Sequence, residues 1–204
     1  MSNRTRIILI ASVLVLLAII YGAGLGLFWP SPHAGTPEGR AISPAVISER
    51  AEAIREAATE VGVAKPKQIL FGDLHVHTTF SFDAFQLSLP MSGGEGAHPV
   101  ADACDYARHC SGLDFWSMND HAITLTPRRW SETVETVRQC NALAGDSSEP
   151  DNVAFLGWEW TQVGTTPENH WGHKNVILRH LSEEKIPTRP ISAGTFGQVR
   201  SGRG

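Results

Sequence analysis

The sequence predicts an α/β fold, a parallel sheet or barrel of right-handed βαβ units preceded by one N-terminal transmembrane helix. Three observations carry this reading. From Gln68 onward short apolar runs alternate with helix-length amphipathic patterns. Histidines and carboxylates gather at the ends of those runs, where chemistry collects in parallel α/β folds. Ahead of them, Ile7 to Trp29 is an uncharged, predominantly apolar run of 23 residues.

The composition bounds the function classes. A chain of 204 residues with 42% hydrophobic and 19% charged positions suits one ordinary domain, or part of a larger one, and excludes a disordered tail. Seventeen Lys+Arg against 21 Asp+Glu give a formal charge of −4. A duplex-binding domain normally shows a basic face, so no nucleic-acid partner is expected.

Taken in order, residues 1–29 form the membrane segment. At ~1.5 Å per residue the apolar run spans ~35 Å, enough for a bilayer core. Arg4 and Arg6 precede it and the next basic residue is Arg40. The positive-inside rule therefore predicts a single pass through the inner (plasma) membrane with the domain facing outward. The alternative is a cleaved signal peptide, because Gly22-Ala23-Gly24 offers small residues at cleavage-like positions. That would leave a secreted or periplasmic domain. Residues 30–42 are Pro- and Gly-rich and read as an extended, mobile spacer. Residues 43–66 read as an amphipathic helix: Ser43-Pro44 supplies a cap and first-turn proline, and Ile47, Ala51, Ile54, Ala58 and Val61 form one stripe.

Residues 67–204 form the α/β body. Its strands are Gln68 to His77, Leu113 to Met118, Val153 to Trp160 and His173 to His180. A helix from Pro99 to about Cys110 lies between the first two, and one capped by Thr126-Pro127 and carrying Trp130, Val134 and Val137 between the next two. Of the cysteines, Cys104, Cys110 and Cys140, one pair could bridge. Cys110–Cys140 is favoured because Cys104 and Cys110 share a helix without being i+3 or i+4 neighbours. The alternative is three buried small apolar residues.

His75 and His77 end the first strand, and a period of two points both rings to one face ~6.5–7 Å apart, a spacing that suits metal ligation. Asp83 can curl back as an oxygen ligand. The second strand ends in Asn119-Asp120-His121. The third carries Glu159 between Trp158 and Trp160, where a carboxylate is costly to bury unless paired or bound to metal. His173 opens the fourth strand, and His170 is a candidate site-lining residue. Four successive strand ends thus carry His, His, Glu and His, as a metal centre requires. His33, His98, His109 and His180 read as solvated or structural. Arg128 and Arg129 either meet an anionic substrate or form a solvated helix face. Gly93 to Gly96 reads as a flexible loop beside the site.

The run HVHTTFS-x-D (His75 to Asp83), the Asn119 to His121 segment, the carboxylate of GWEW and the histidine of HKNVIL resemble the first motifs of the polymerase and histidinol phosphatase (PHP) superfamily. GDLHVHTTFSFDAF, LDFWSMNDHA and FLGWEWTQVGTTPENHWGHKNVI look more closely like an uncharacterised bacterial branch of it, a domain of unknown function. The resemblance covers about Ile69 to Pro190. It implies a distorted (β/α)7 PHP-type barrel, here partial with about four strands, holding two or three divalent ions such as zinc, manganese or iron. By the same resemblance His75 and His77 would hold the first ion, Glu159 would bridge to a second, Asp83 and His121 would complete the pair, and His173 would ligate the second ion. Asp120 would orient His121, and Asp120 and His170 stand together as candidate catalytic groups.

The implied activity is that of a metal-dependent hydrolase, a phosphoesterase using a metal-bound hydroxide on a small anionic substrate. PHP sites also use late ligands, an Asp-x-His pair and a further His, which nothing after His180 supplies. The closing GTFGQVRSGRG reads like the edge of a truncated chain, so the expectation is the N-terminal part of a larger enzyme. The competing expectation is a catalytically incomplete, membrane-anchored fragment with weak or no metal binding. A polymerase-associated module working on nucleic acid is disfavoured by the acidic balance and the membrane segment.

Overall fold

The computed structural model describes residues 2–24, 33–64, 69–89, 94, 98–145 and 150–193. The end of the apolar run after Gly24, most of the Gly93–Gly96 loop, Gln68 and the closing GTFGQVRSGRG lie outside the described residues.

Helix α1, Asn3–Gly24, is apolar all round: its mean hydropathy is 2.3 over residues 3–22, and Ile7 to Tyr21 are exposed. By length and composition it can cross a membrane, and a signal sequence has the same properties. Helix α2, Pro44–Glu60, begins at the expected proline and buries no residue. Its apolar stripe thus lies on the outside of the described structure.

Residues 33–42, the described part of the segment between these helices, are not the free spacer their Pro/Gly composition suggests. Ala34 is buried, and its carbonyl accepts the Ala101 amide at 2.8 Å. The Glu38 amide donates to both oxygens of Asp105 at 3.0 Å, and the Ile42 amide to Asp151 Oδ2 at 2.6 Å. Gly35 permits the docking: its φ is +74°, and a Cβ there would sit 2.9 Å from the Ala101 Cβ. Residues 33–42 are therefore a strap on the body, held by backbone amides that find carboxylates far along the chain.

The body is a four-stranded, curled half-barrel sheet of order β1-β2-β3-β4, comprising Gly72–Val76, Phe115–Met118, Val153–Gln162 and Gly172–Leu178. The β1–β2 and β2–β3 pairs are parallel, as expected. The β3–β4 pair is antiparallel, which corrects the all-parallel expectation. The physical reason is the connection, residues 163–171. It is shorter than the roughly dozen residues a parallel crossover needs. The reversal has a consequence for the site, because it sets the start of β4 beside the end of β3, with His173 opposite Thr161.

Short helices α3 (Phe82–Leu87) and α4 (Val100–Asp105) follow β1, with a π turn at Tyr106–Cys110, and α5 (Pro127–Ala142) follows β2. Thr126 caps α5 by accepting the Arg129 amide at 3.3 Å. The core lies between the sheet and these helices. Trp116, Met118, Leu156 and Trp158 of the strands pack with Val100, Cys104, Val134 and Val137, and Trp130 meets Trp158 edge-on at 5.8 Å. Here too the disulfide forms. Cys104 pairs with Cys140, while Cys110 is free and exposed. The expected Cys110–Cys140 bridge is thus corrected. Cys104 lies on the buried face of α4 against α5, and the π turn carries Cys110 off that face.

Candidate metal centre

The site is built where the curled sheet brings the ends of β1, β2 and β3 to the start of β4. On β1 the pairing register slips between Asp73 and Val76, a bulge that bends the strand where His75 stands. The carbonyl of Leu74, inside that slip, accepts the Asn175 side-chain amide from β4 at 2.8 Å. Past the end of β2 the chain continues alongside β3. His121 bridges to Glu159, and the Glu159 and Ala122 amides donate to the Asp120 and Glu159 carbonyls at 3.0 and 2.9 Å.

Glu159 is the centre of the arrangement and is 1% exposed. Its two oxygens face different partners. Oε2 lies 3.0 Å from His75 Nε2 and 2.9 Å from His77 Nε2. Oε1 meets His173 Nδ1, accepts the Thr161 hydroxyl at 2.8 Å and lies 3.4 Å from His121 Nδ1. On the far side His121 Nε2 is 3.1 Å from Asp83 Oδ2. Three overlapping groups could therefore hold an ion: His75, His77 and Glu159; His77, Asp83 and His121; His121, Glu159 and His173. Within each group the ligand atoms lie within 4.8 Å of one another.

The donor chemistry fits a divalent ion. Ligands ~2.0–2.1 Å from zinc lie roughly 3.3–3.4 Å apart in a tetrahedron, a few tenths of an ångström (~0.4 Å) beyond the separations around Glu159 Oε2. Imidazoles with carboxylates and no thiolate suit zinc, iron or manganese. His77 and His121 are mostly enclosed, with side chains 17% and 12% exposed, whereas His75 and His173 stand at 53% and 50%. The open side adjoins a groove of about 1080 Å³ along β1, walled by His75 and His77 and by His98, Asp102 and Tyr106 opposite.

Electrostatics favour the neutral form of His77 and the charged forms of Asp83 and Glu159. Burial first, and the neighbouring His121 second, push the His77 imidazolium down, against the pull of Asp120, Glu159 and Asp83. For Asp83 the upward push of burial is outweighed by hydrogen bonds from His121 and the Ala84 amide. Glu159 behaves alike: burial raises it, but the Thr161 and His173 hydrogen bonds and nearby histidine charge bring it below the usual carboxylate value.

All six expected ligands, His75, His77, Asp83, His121, Glu159 and His173, are brought together. Asp120 is not the partner of His121 that the sequence suggested. It is fully buried, and it accepts the Thr78 amide and hydroxyl and the Ser81 hydroxyl, each at 2.7 Å. Burial pushes its carboxyl up against those hydrogen bonds. His170, on the exposed 163–171 connection, has its Nδ1 3.2 Å from the Gly164 carbonyl and belongs to none of the three groups. Arg129 is likewise occupied: it stacks on Phe80 at 5.5 Å and donates to the Phe80 and Thr124 carbonyls, while Arg128 pairs with Glu132. Thr161 is a member the sequence reading missed. Its hydroxyl donates to Glu159 Oε1 and lies 2.9 Å from His121 Nδ1, and its signal was its place two residues beyond Glu159 on the same strand face.

Residues 64–125, which contain the β1 and β2 parts of this site, match the model of a family described as a protein of unknown function (DUF3604). No curated protein and no solved structure matches the chain.

Proposed function

We propose that this chain is the N-terminal part of a metal-dependent hydrolase of PHP type acting on phosphate esters. The observation that carries the reading is Glu159: one buried carboxylate whose two oxygens face separate sets of histidines, as a bridging ligand between two ions must. His75 and His77 would hold one ion, His121 and His173 the other, and Asp83 would reach the pair beside His121. Zinc, manganese or iron bound there would supply Lewis acidity and an activated water for hydrolysis. The chain's own part is to hold the ligands, favour the neutral form of His77 and leave the His75 and His173 side open to a small anionic substrate. Asp120 is fully buried, and His170 belongs to none of the three ligand groups.

The test is metal content and turnover of the full chain in detergent. Stoichiometric metal, lost in His75→Ala, His77→Ala and Glu159→Gln, with hydrolysis of generic phosphate monoesters or diesters, supports the proposal. Metal content unchanged in those variants sinks the site.

A second reading has its own observation. Among the described residues β1 and β4 each pair with one strand only, and the two histidines nearest those edges are half-exposed. A catalytically incomplete, membrane-anchored fragment fits that openness. It predicts metal without turnover, or only weak metal binding. For location, the proposal is a single-pass inner-membrane protein with its domain outside, on the strength of Arg4, Arg6 and the apolar α1, with a cleaved signal as the alternative. The Cys104–Cys140 disulfide suits that oxidising side. N-terminal sequencing of the membrane fraction separates anchor from signal.

A further inference from the structure

The bulge in β1 decides which way its histidines point. In the β1–β2 register Gly72 stands opposite Phe115, Asp73 opposite Trp116 and Val76 opposite Met118. Leu74 and His75 therefore share the single position opposite Ser117. Trp116 and Met118 lie in the core, whereas Ser117 pairs with Phe155, whose strand face also carries Glu159. Had the register set at Asp73 run on without the extra residue, Leu74 and Val76 would face Glu159, and His75 and His77 would enter the core. The extra residue puts both histidines on the site face and returns Val76 to the core.

A bulge leaves backbone groups that the ladder cannot serve. Here they belong to one peptide unit, Leu74–His75, and side chains take both. Its carbonyl accepts Asn175 Nδ2 at 2.8 Å, and its N–H donates to Asp73 Oδ1 at 2.9 Å. Asn175 stands opposite Glu159 in the β3–β4 register, so its side chain shares the face of Glu159. From there it crosses the concavity between the two outermost strands. A planar peptide held at both ends is fixed in orientation, and the histidine it leads into is aimed. His75 Nε2 comes within 3.0 Å of Glu159 Oε2 and 2.9 Å of His77 Nε2. The two ring centroids are 4.9 Å apart, closer than the ~6.5–7 Å between alternate residues of a strand.

We infer that Asn175 and Asp73 are positioning residues: together they clamp the Leu74–His75 peptide and so hold the bulge that turns His75 and His77 toward Glu159. Neither belongs to the three ligand groups. The antiparallel run of β4 thus supplies two things from one strand face, a candidate ligand at His173 and, two residues on, a clamp for a ligand of β1. Each clamp has the chemistry its target needs, an amide donor for the carbonyl and a carboxylate acceptor for the N–H. The inference rests on the metal-centre reading only for its consequence for affinity, since the clamp is a property of the metal-free protein.

The experiment uses the full chain in detergent, metal-free and labelled with 13C and 15N. Nuclear Overhauser contacts are expected between the Asn175 side-chain amide and the Leu74–His75 backbone, and between the His75 and His77 rings. Asn175→Asp keeps the shape and removes the donor. It should lose the ring-to-ring contact and lower zinc affinity in chelator competition about 10- to 100-fold, the range for groups that orient a metal ligand. Asp73→Ala should do the same, whereas Asp73→Asn, which keeps an accepting oxygen, should restore both. Lys174→Ala, on the opposite face of β4, should leave both as in wild type. Absence of the Asn175 contact in the wild-type protein overturns the inference and needs no variant to fold. So does an Asn175→Asp protein with ring contact and zinc affinity unchanged, or an equal loss in Lys174→Ala, which would reduce Asn175 to general support of the strand. Wild-type protein that binds no zinc would instead overturn the metal-centre reading, while the contacts in the metal-free protein still decide the clamp.

Discussion

Arg108 and Asp151 form an ion pair at 3.1 Å in which neither side chain reaches solvent. Arg108 also donates to the Cys140 carbonyl at 2.8 Å, and Asp151 accepts the Ile42 amide. One buried pair thus ties the π turn, the end of α5, the approach to β3 and the strap of residues 33–42. Leaving one member of such a pair buried alone costs about 3–5 kcal/mol. Arg108→Met or Asp151→Ala should each destabilise by that order in urea titration. The double variant Arg108→Met/Asp151→Leu should recover a large part of it. A single variant within about 0.5 kcal/mol of wild type, the range of an ordinary surface change, would show that the pair does not form.

The disulfide gives a second expectation. Cys104 and Cys140 are 36 residues apart, and closing a loop of that length restricts the unfolded chain by about 3–4 kcal/mol. Cys140→Ser should lower the melting temperature accordingly, whereas Cys110→Ser should leave it near wild type. Maleimide labelling of the native, unreduced protein should mark Cys110 alone. Labelling of Cys104 instead would restore the Cys110–Cys140 pairing.

The sequence pointed to the candidate ligands more readily than to the scaffold, for physical reasons. His75, His77 and Glu159 stood out because a strand's period of two and the cost of burying a carboxylate are local signals. The direction of β4 was not readable from HKNVIL itself; only the shortness of the 163–171 connection carried it. The strap was misread because its Pro and Gly content describes an isolated chain, while its order comes from Ala101, Asp105 and Asp151, far away in sequence. The disulfide was misassigned because a π turn shifts the helical phase at residues 106–110, and no residue pattern announces it. Thr161 escaped notice because a hydroxyl's role depends on which groups surround it.

Gly157 tests the closeness of the sheet under the site. A Cβ at this position would lie 2.4 Å from the Val176 carbonyl of β4 and 3.0 Å from Asn119 Nδ2. Both neighbours are fixed, one as backbone and the other as a fully buried side chain. Gly157→Ala should therefore force β4 away from β3 and destabilise by about 1–3 kcal/mol. Glu159, two residues on along the same face, and His173 on the displaced strand should part, so metal affinity should fall as well. Unchanged stability and unchanged metal affinity together would mean the β3–β4 pair is looser than the register implies.

His77, Asp83 and Glu159 should contribute to the pH dependence of stability in two windows with the same sign. Asp120 opposes them: burial pushes its carboxyl up, and its contribution is lost as pH rises above about 4. His77 is pushed down by burial and then by His121, so the folded protein favours its neutral form. A histidine depressed in this way contributes stability that is fully present above its unfolded value, about 6.5, and lost as pH falls through the lower folded value. Metal binding follows the same direction, because the ligand must be neutral. Asp83 and Glu159 are also below their usual values, their hydrogen bonds to histidine and threonine outweighing burial. Their contribution is present above the unfolded carboxylate value, about 4, and disappears as pH falls further. Urea titrations of the metal-free protein, wild type against each variant, should show a His77 contribution that is level above about pH 6.5 and declines below it, and an Asp83 and Glu159 contribution that declines below about pH 4. His77→Gln should flatten the first decline and Asp83→Asn part of the second. A rise in stability on acidifying from about pH 6.5 to 5 would mean that His77 gains more from Asp120, Glu159 and Asp83 than burial costs it.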